Sequence, residues 1–227
     1  MASSSIKVIA VLNQKGGVGK TTLATNLAAA AYLAGKKTLI LDLDSQGSAL
    51  DWYHARSEES KLAGLATLRA DRALAASKIR SIGTGFDQVF IDGPPRLGKV
   101  TRSAATAADL AVIPVKPGAY DLWALQETLA TLDEADATRG DLGIAPLPRV
   151  FVLTQAVPRT NVMKAAPKAL GAMGTVSPVV VHSRVIYPES ASRGESVLSG
   201  DANGPGAVEI KELYRYLLRR KRRTLKN

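Results

Sequence analysis

Cysteine is absent from this chain of 227 residues, which excludes disulfides, iron–sulfur clusters and thiolate zinc sites. Histidine is nearly absent: His54 and His182 stand alone and support neither a metal site nor a base–nucleophile pair. No apolar run approaches the roughly 18 residues that a membrane span requires. The first residues carry no signal-peptide pattern. We therefore expect a cytoplasmic protein.

Aromatic residues are also scarce, at 5% of the chain, whereas hydrophobic residues reach 46%, many of them Ala, Val, Leu or Ile. Side chains of this kind suit close packing of helices on a sheet. The length of the chain allows one substantial core. We expect a single domain over residues 1–227, ending in a basic helix or tail at about 207–227.

Acidic residues are outnumbered, because 20 Asp and Glu stand against 30 Lys and Arg. The net charge is +10 and the pI is near 9.9. Such a surplus suggests a polyanionic partner, with nucleic acid first and an anionic membrane second. A basic surface without a partner remains an alternative. The most basic stretch is 217–227, at the end of the chain.

A glycine-rich segment at residues 13–22 reads Asn-Gln-Lys-Gly-Gly-Val-Gly-Lys-Thr-Thr. It follows the apolar run 8–12 and precedes an Ala/Leu-rich stretch with helical character. Glycines let backbone N–H groups converge on phosphate oxygens, and a helix N-terminus adds partial positive charge. In a phosphate-binding loop of this kind, Lys20 lies against the β- and γ-phosphates and the Thr21 hydroxyl ligates Mg²⁺.

The loop departs from the ordinary pattern G-x-x-x-x-G-K-[ST] at one position, where Gln14 replaces the first glycine. The next residue is Lys15. A lysine at the mouth of such a loop directs a second positive charge at the phosphates.

Short apolar runs alternate with Ala/Leu-rich segments along the rest of the chain. The pattern predicts strands near 8–12, 38–41, 65–69, 88–91, 109–115, 150–153 and 176–181. It predicts helices near 20–34, 49–56, 72–82, 101–108, 122–137 and from about 207 onward, with loops at 138–148 and 194–206. Strands that are apolar at consecutive positions are buried on both faces. We therefore expect an α/β fold with a doubly wound, mainly parallel sheet and helices on both faces.

Carboxylates follow two of the predicted strands. Asp42 and Asp44 end the strand at 38–41, and their spacing points both side chains to the same side. Asp92 ends the strand at 88–91, at the edge of the sheet where α/β folds bind ligands. It is placed to hold Mg²⁺ through water. Aspartate at a strand end is also common as a helix cap or turn former, so each carboxylate alone has a structural explanation.

Together with the loop, these segments resemble the ParA/MinD family of ATPases, which carry a deviant Walker A loop. The resemblance covers nearly the whole chain and implies the three-layer α/β/α fold of P-loop NTPases. It is carried by 15–22, 42–46 (Asp-Leu-Asp-Ser-Gln), 91–95 (Ile-Asp-Gly-Pro-Pro) and 108–115 (Ala-Asp-Leu-Ala-Val-Ile-Pro-Val). The chain is most similar to small ParA/ParF-type partition ATPases without an N-terminal helix-turn-helix domain, because the first strand begins by about Ile6.

The resemblance implies an ATPase that hydrolyses ATP to ADP and phosphate, slowly until a partner protein stimulates it. Two ATP-bound copies face each other, and Lys15 reaches the phosphates bound by the other copy. Lys20 stabilises the transferring phosphoryl group, and Asp44 positions the attacking water. The implied magnesium residues are Thr21 and, through water, Asp42 and Asp92. The implied nucleotide-binding residues of the loop are Gly16, Gly17, Val18, Gly19, Lys20, Thr21 and Thr22.

Adenine and DNA contacts are harder to place. The resemblance makes Thr154, Gln155 and Pro188 candidates for adenine contacts, although generic loop residues would look the same. Relatives bind DNA without sequence preference through basic residues in the region matching 181–193. The candidates here are Arg184 and Arg193, together with the tail residues Arg219, Arg220, Arg222, Arg223 and Lys226. A basic helix end without any ligand is the alternative for the tail.

The family also implies cargo. We expect a nucleoid-associated protein that partitions a plasmid or chromosome, or positions a protein assembly, with a ParB/ParG-like or other adaptor that stimulates hydrolysis. The alternative is a MinD-like ATPase on a membrane surface, for which Leu213, Tyr216, Leu217 and Leu225 offer few apolar anchors. A metal-cluster scaffold is excluded by the absence of cysteine. An amide-forming ligase lacks an obvious substrate pocket, and a tyrosine kinase lacks its tyrosine-rich tail.

Overall fold

Parallel strands form one sheet within residues 7–70, 72–96 and 98–224, which the computed structural model describes, with side chains described as far as Arg219. The six strands of this part of the chain are β1 (Lys7–Val11), β2 (Thr38–Asp42), β3 (Ala66–Arg69), β4 (Gln88–Asp92), β5 (Leu110–Val115) and β6 (Arg149–Leu153). Their order is β3-β2-β4-β1-β5-β6, and all pairs are parallel. The expected doubly wound sheet is confirmed.

Helices cover both faces of this sheet. They are α1 (Lys20–Leu33), α2 (Ser48–His54), α3 (Ala76–Ile82), α4 (Lys99–Ala107), α5 (Ala119–Asp141), α6 (Asn161–Gly171), α7 (Ile186–Ala191) and α8 (Pro205–Thr224). One core cluster joins α1 and α8 to one face, and the other joins α4, α5 and α6 to the opposite face. This is the three-layer α/β/α arrangement.

Strand β1 shows why the sequence folds this way. All five of its residues are buried. Ile9 and Val11 belong to the first core cluster, whereas Val8 and Ala10 belong to the second. Successive side chains of a strand point to opposite faces, so a strand covered on both sides must be apolar at every position.

The predicted strand at 176–181 is wrong. This segment follows the edge of β6, but within the described residues it forms isolated bridges, such as Phe151 with Val176, and no regular strand. Pro178 lacks a backbone donor, and the Ser177 hydroxyl accepts a hydrogen bond from Val179 N in a local turn. An apolar run alone did not reveal that interruption.

Two helices were not expected. Thr160 caps the start of α6 by accepting a hydrogen bond from Met163 N, and α6 continues past Pro167. α7 is a short helix within the region assigned to nucleic-acid contacts. α5 extends beyond the predicted 122–137 at both ends, which shortens the loop expected at 138–148. No helix in the described part of the chain is long and apolar enough to cross a membrane.

Candidate functional site

The glycine-rich loop joins β1 to α1 and lies open to the outside. Gly17 has φ +69° and Gly19 has φ +91°, a left-handed backbone that favours glycine. A Cβ added at Gly16 or Gly17 would meet no heavy atom within 4 Å. α1 begins directly after Gly19 with no side chain capping its first N–H groups. The loop therefore offers bare backbone donors at a helix N-terminus, which is an anion-binding arrangement.

Lys20 points back into this loop. Its Nζ donates a hydrogen bond of 3.0 Å to the carbonyl oxygen of Lys15, and the side chain is buried. Burial lowers the pKa of Lys20, and the nearby carboxylates of Asp92 and Asp44 oppose that shift. The ammonium group thus lies against the loop and close to two acidic side chains.

Thr21 and Asp92 connect α1 to the end of β4. The Thr21 hydroxyl donates a hydrogen bond of 2.7 Å to Asp92 Oδ2. Asp92 is 0% exposed, and its Oδ1 has no hydrogen-bond partner. Burial raises the pKa of Asp92 to about 7, although the Thr21 hydrogen bond works against this. A buried carboxylate oxygen without a donor fits a water held by a cation.

Asp42 lies level with Asp92, because the two are register partners on β2 and β4. Its Oδ1 accepts the backbone N–H of Asp44 at 3.0 Å, and its Oδ2 accepts those of Ala49 and Leu50 at 3.0 and 3.1 Å. Burial raises the pKa of Asp42, and these three hydrogen bonds lower it. Asp42 therefore caps α2 and shapes the loop before it. Its role toward magnesium stays a prediction.

Asp44 lies in the same loop, two residues after Asp42. Its Oδ1 accepts the backbone N–H of Gln46 at 3.0 Å. The side chain lines a cleft of about 390 Å³, together with Pro94, Pro95 and Lys99. The Asp44 carboxylate is also close enough to Lys20 to act on the pKa of that ammonium group. A carboxylate on the wall of an open cleft can hold a water molecule.

The three adenine candidates come together on the other side of the loop. Thr154 Oγ1 donates to Val18 O at 2.8 Å, and Gln155 Nε2 donates to Gly17 O at 2.7 Å. Both residues and Pro188 line a cavity of about 380 Å³ that begins at the start of α1. Two of the three candidates therefore also brace the phosphate loop. Their contact with a base stays a prediction.

Lys15 is held by a residue that the sequence analysis did not identify. Its Nζ lies 2.8 Å from Asp121 Oδ1, in the first turn of α5. Two further residues were missed. Asn13 Oδ1 accepts Lys15 N at 2.9 Å, and Thr128 Oγ1 accepts Gln14 N at 3.1 Å. The sequence signal for these contacts is the polar pair Asn13-Gln14, because polar groups just before the first glycine of the loop need hydrogen-bond partners.

Arg184 is engaged within the protein. Its Nε and Nη2 donate to Glu209 Oε1 at 3.0 and 2.6 Å, and His182 Nδ1 lies 2.7 Å from the same oxygen. Tyr187 OH donates to Glu209 Oε2 at 3.3 Å. This buried carboxylate on α8 was not found from the sequence. The ion pair weakens the prediction that Arg184 contacts DNA.

The remaining basic candidates are exposed or lie outside the described part. Arg193 and Arg219 are exposed. The side chains of Arg220, Arg222 and Arg223, and all of Lys226, lie outside the described residues.

A metal ion at this site would need a bound nucleotide to complete its coordination. Among the described residues, no group of three or more His, Cys, Asp or Glu side chains could hold a metal ion. Mg²⁺ usually binds through one or two carboxylates and substrate phosphates, while keeping several waters. Thr21 and the free oxygen of Asp92 fit such a partial site.

Comparison with known proteins shows a match over most of the chain. A family model described as the CobQ/CobB/MinD/ParA nucleotide binding domain matches residues 9–197. The chain is 31% identical to maintenance of carboxysome distribution protein A from Halothiobacillus neapolitanus, over 92% of this chain and 94% of that protein. It is 30% identical to the chromosome-partitioning ATPase Soj from Thermus thermophilus, over 94% of this chain and 96% of that protein.

A solved structure shares the fold. The septum site-determining protein MinD from Pyrococcus horikoshii, complexed with Mg-ADP, superposes with a TM-score of 0.71. It is 20% identical and covers 93% of this chain and 96% of its own.

Proposed function

Because this chain belongs to the CobQ/CobB/MinD/ParA family of nucleotide-binding domains, we propose that two copies of it pair around ATP and Mg²⁺ and hydrolyse the ATP. The paired form binds DNA without sequence preference and partitions or positions a cargo. The observation that carries the nucleotide part is the unpartnered, buried Oδ1 of Asp92. The Asp92 carboxylate lies beside Thr21 and Lys20, the two residues that follow the glycines of the loop.

Phosphoryl transfer needs positioned charge more than covalent chemistry. Lys20 and the loop N–H groups would receive the phosphates, and Thr21 and Asp92 would hold a magnesium ion. That ion would supply charge neutralisation at the phosphate oxygens. Asp44 orients the attacking water from the wall of its cleft. Asp42 fixes the Asp44 backbone through the 3.0 Å hydrogen bond from Asp44 N.

Lys15 supports the paired arrangement. It stands at the mouth of the loop, with its side chain 35% exposed. The Nζ pairs with Asp121 of α5. From this position it can reach phosphates bound by another copy.

The charge of the chain supports DNA as the polyanionic partner. Several cations on one surface are needed to neutralise phosphates and release counterions. Arg193, Arg219 and the basic end of α8 are the contributors, whereas Arg184 holds Glu209. A membrane has less support, because Leu213 and Leu217, two of the anchors it would need, are buried in the core.

The names of the relatives indicate the class of cargo and not its identity. One relative is named for carboxysome distribution and another for chromosome partitioning. The cargo of this chain is accordingly a plasmid, a chromosome or a protein assembly on the nucleoid. A ParB/ParG-like or other adaptor stimulates the slow hydrolysis.

Retention on DNA tests the proposal. Purified protein is passed over immobilised DNA of two unrelated sequences with ATP, with ADP and without nucleotide, and sedimentation velocity is run in parallel. We expect retention and a dimer with ATP and Mg²⁺ only, with equal retention on both sequences. Anionic vesicles are the comparison surface. Monomers at saturating ATP, or retention on vesicles alone, would contradict the proposal.

A further inference from the structure

Two aromatic side chains stand exposed at the start of α5. Tyr120 is 76% exposed and Trp123 is 69% exposed. Their rings lie edge to face, with centroids 5.4 Å apart. We call Tyr120 and Trp123 the aromatic pair. Aromatic residues make up only 5% of this chain. Tyrosine and tryptophan are enriched at the centres of protein interfaces, and an exposed pair of them marks an interaction site.

The aromatic pair is connected to the phosphate loop. Asp121, between the two aromatic residues in sequence, holds Lys15 Nζ at 2.8 Å. Two turns further along α5, Thr128 Oγ1 accepts the backbone N–H of Gln14 at 3.1 Å. α5 thus contacts two consecutive residues of the loop. The residue that holds Lys15 therefore lies in the same turn of α5 as the aromatic pair.

We propose that the aromatic pair docks against a second copy of this chain when the nucleotide is bound. The inference rests on the proposed function, in which Lys15 leaves its own loop for the other copy. A second copy that receives Lys15 must come to the place where Lys15 now lies, beside Asp121. The surface next to Asp121 then falls inside the contact between the copies.

The ion pair and the aromatic pair have complementary roles in this contact. Lys15 must give up Asp121 before it crosses, which opposes pairing. Burial of two aromatic side chains removes apolar surface from water and offsets that loss. Asp121 therefore holds Lys15 beside its own loop in the single copy, and the aromatic pair stabilises the paired form in which Lys15 has moved to the other copy.

Tryptophan fluorescence tests the proposal on the unmodified protein. The chain has two tryptophans, and Trp52 is 5% exposed while Trp123 is open to solvent. Acrylamide quenching is measured without nucleotide, with ADP and with a non-hydrolysable ATP analogue, always with Mg²⁺. The same series on Trp123→Phe isolates the Trp123 contribution. We expect Trp123 to lose most of its quenching with the analogue only, over the protein concentrations at which dimers form.

Substitution gives a second, independent measurement. Sedimentation velocity with the analogue is compared for Tyr120→Ala, Trp123→Ala and Leu142→Ala. Leu142 is the matched control, because it is an exposed apolar residue at the other end of the same helix. We expect the dimer dissociation constant to rise by about tenfold or more for each aromatic variant, as at interface hot spots, and to stay unchanged for Leu142→Ala. Binding of a fluorescent nucleotide to the monomer stays unchanged in all three.

The outcomes separate this inference from the proposed function. Dimers that form with Trp123 still open to acrylamide, and that tolerate both alanine variants, overturn the docking surface while the ATP-dependent dimer stands. Protection of Trp123 only after an adaptor protein is added assigns the pair to that protein and also overturns it. A wild-type chain that stays monomeric removes both proposals together.

Discussion

The hydroxyl of Thr21 donates a hydrogen bond of 2.7 Å to Oδ2 of Asp92, joining the first residues of α1 to the last residue of β4. The other oxygen of the Asp92 carboxylate, Oδ1, is buried and has no hydrogen-bond donor. Half of this carboxylate is therefore satisfied by the protein, and the other half is available to a ligand. Such an arrangement costs stability until the ligand binds.

Asp92→Asn should stabilise the protein measured without nucleotide or Mg²⁺. The pKa of Asp92 is raised to about 7 from 3.8. Between these values the folded chain holds a proton that the unfolded chain has released, so the free energy of unfolding falls as pH rises. We expect the variant to be more stable by about 1–3 kcal/mol at pH 8, with the difference disappearing near pH 4. Urea unfolding across this pH range checks the prediction, with the exposed Asp141→Asn as control. A stability difference between Asp92→Asn and the wild type that does not change with pH would contradict it.

Lys20→Ala should weaken ATP binding strongly. The side chain lies in the loop and supplies its buried positive charge. Hydrogen bonds to charged groups contribute roughly 1.5–3 kcal/mol, so affinity should fall by about 10- to 100-fold or more. Titration calorimetry with ATP and Mg²⁺ measures this. Lys36→Ala, an exposed lysine beyond the end of α1, should bind normally. Equal affinity of the two variants would argue against the loop as the phosphate site.

Asp44→Ala should keep ATP binding and lose hydrolysis. The residue lines the cleft that it forms with Pro94, Pro95 and Lys99, and the predicted bonds to phosphate involve other residues. Removing a group that positions or activates water reduces turnover by about 10²- to 10⁴-fold. Phosphate release is measured beside nucleotide affinity, and Glu58→Ala serves as the exposed control. The variant should also remain on DNA after ATP is added. Wild-type turnover in it would refute the assigned role.

Glu209→Gln should destabilise the protein in a pH-dependent manner. Burial would raise the pKa of Glu209, but hydrogen bonds from Arg184 and His182 outweigh it and lower the pKa. A lowered pKa stabilises the folded chain above the unfolded value, near 4.3, and this contribution is lost as pH falls through the folded value. We expect a loss of about 1–3 kcal/mol at pH 7 that shrinks below about pH 4. Glu212→Gln, exposed on the next turn of α8, is the control.

Reversing the charges of Arg219 and Arg220 to glutamate should weaken DNA binding equally for all sequences, because phosphate contacts carry no sequence information. Retention is compared at two salt concentrations. Lys164→Glu with Lys168→Glu changes the net charge equally on the exposed side of α6 and should have a smaller effect. Unchanged retention at low salt would remove the end of α8 from the DNA surface.

The sheet and the phosphate loop were predictable because local signals dominate there. Five of the six strands are apolar over consecutive positions and lie between covering helices. The positive φ at Gly17 and Gly19 follows from their residue type. Asp92 could be placed because the carboxyl ends of parallel strands meet at one edge of a sheet.

Long-range partners were not predictable in the same way. Asp121 meets Lys15 across more than one hundred residues, and Glu209 gathers Arg184 from a separate loop. Neither pair leaves a spacing pattern in the chain. Such contacts depend on tertiary packing, and intrinsic patterns do not record them.

Val11, Asp42 and Asp92 lie level with one another on three adjacent strands. Removing one residue within β2 would turn Asp42 to the opposite face, because side chains alternate at every step of a strand. Surface connections tolerate insertions, since closing a longer loop costs little. The site therefore depends on the exact number of residues in these strands. Duplication or deletion of a single codon there would destroy the site, although every one of its side chains would still be present in the chain.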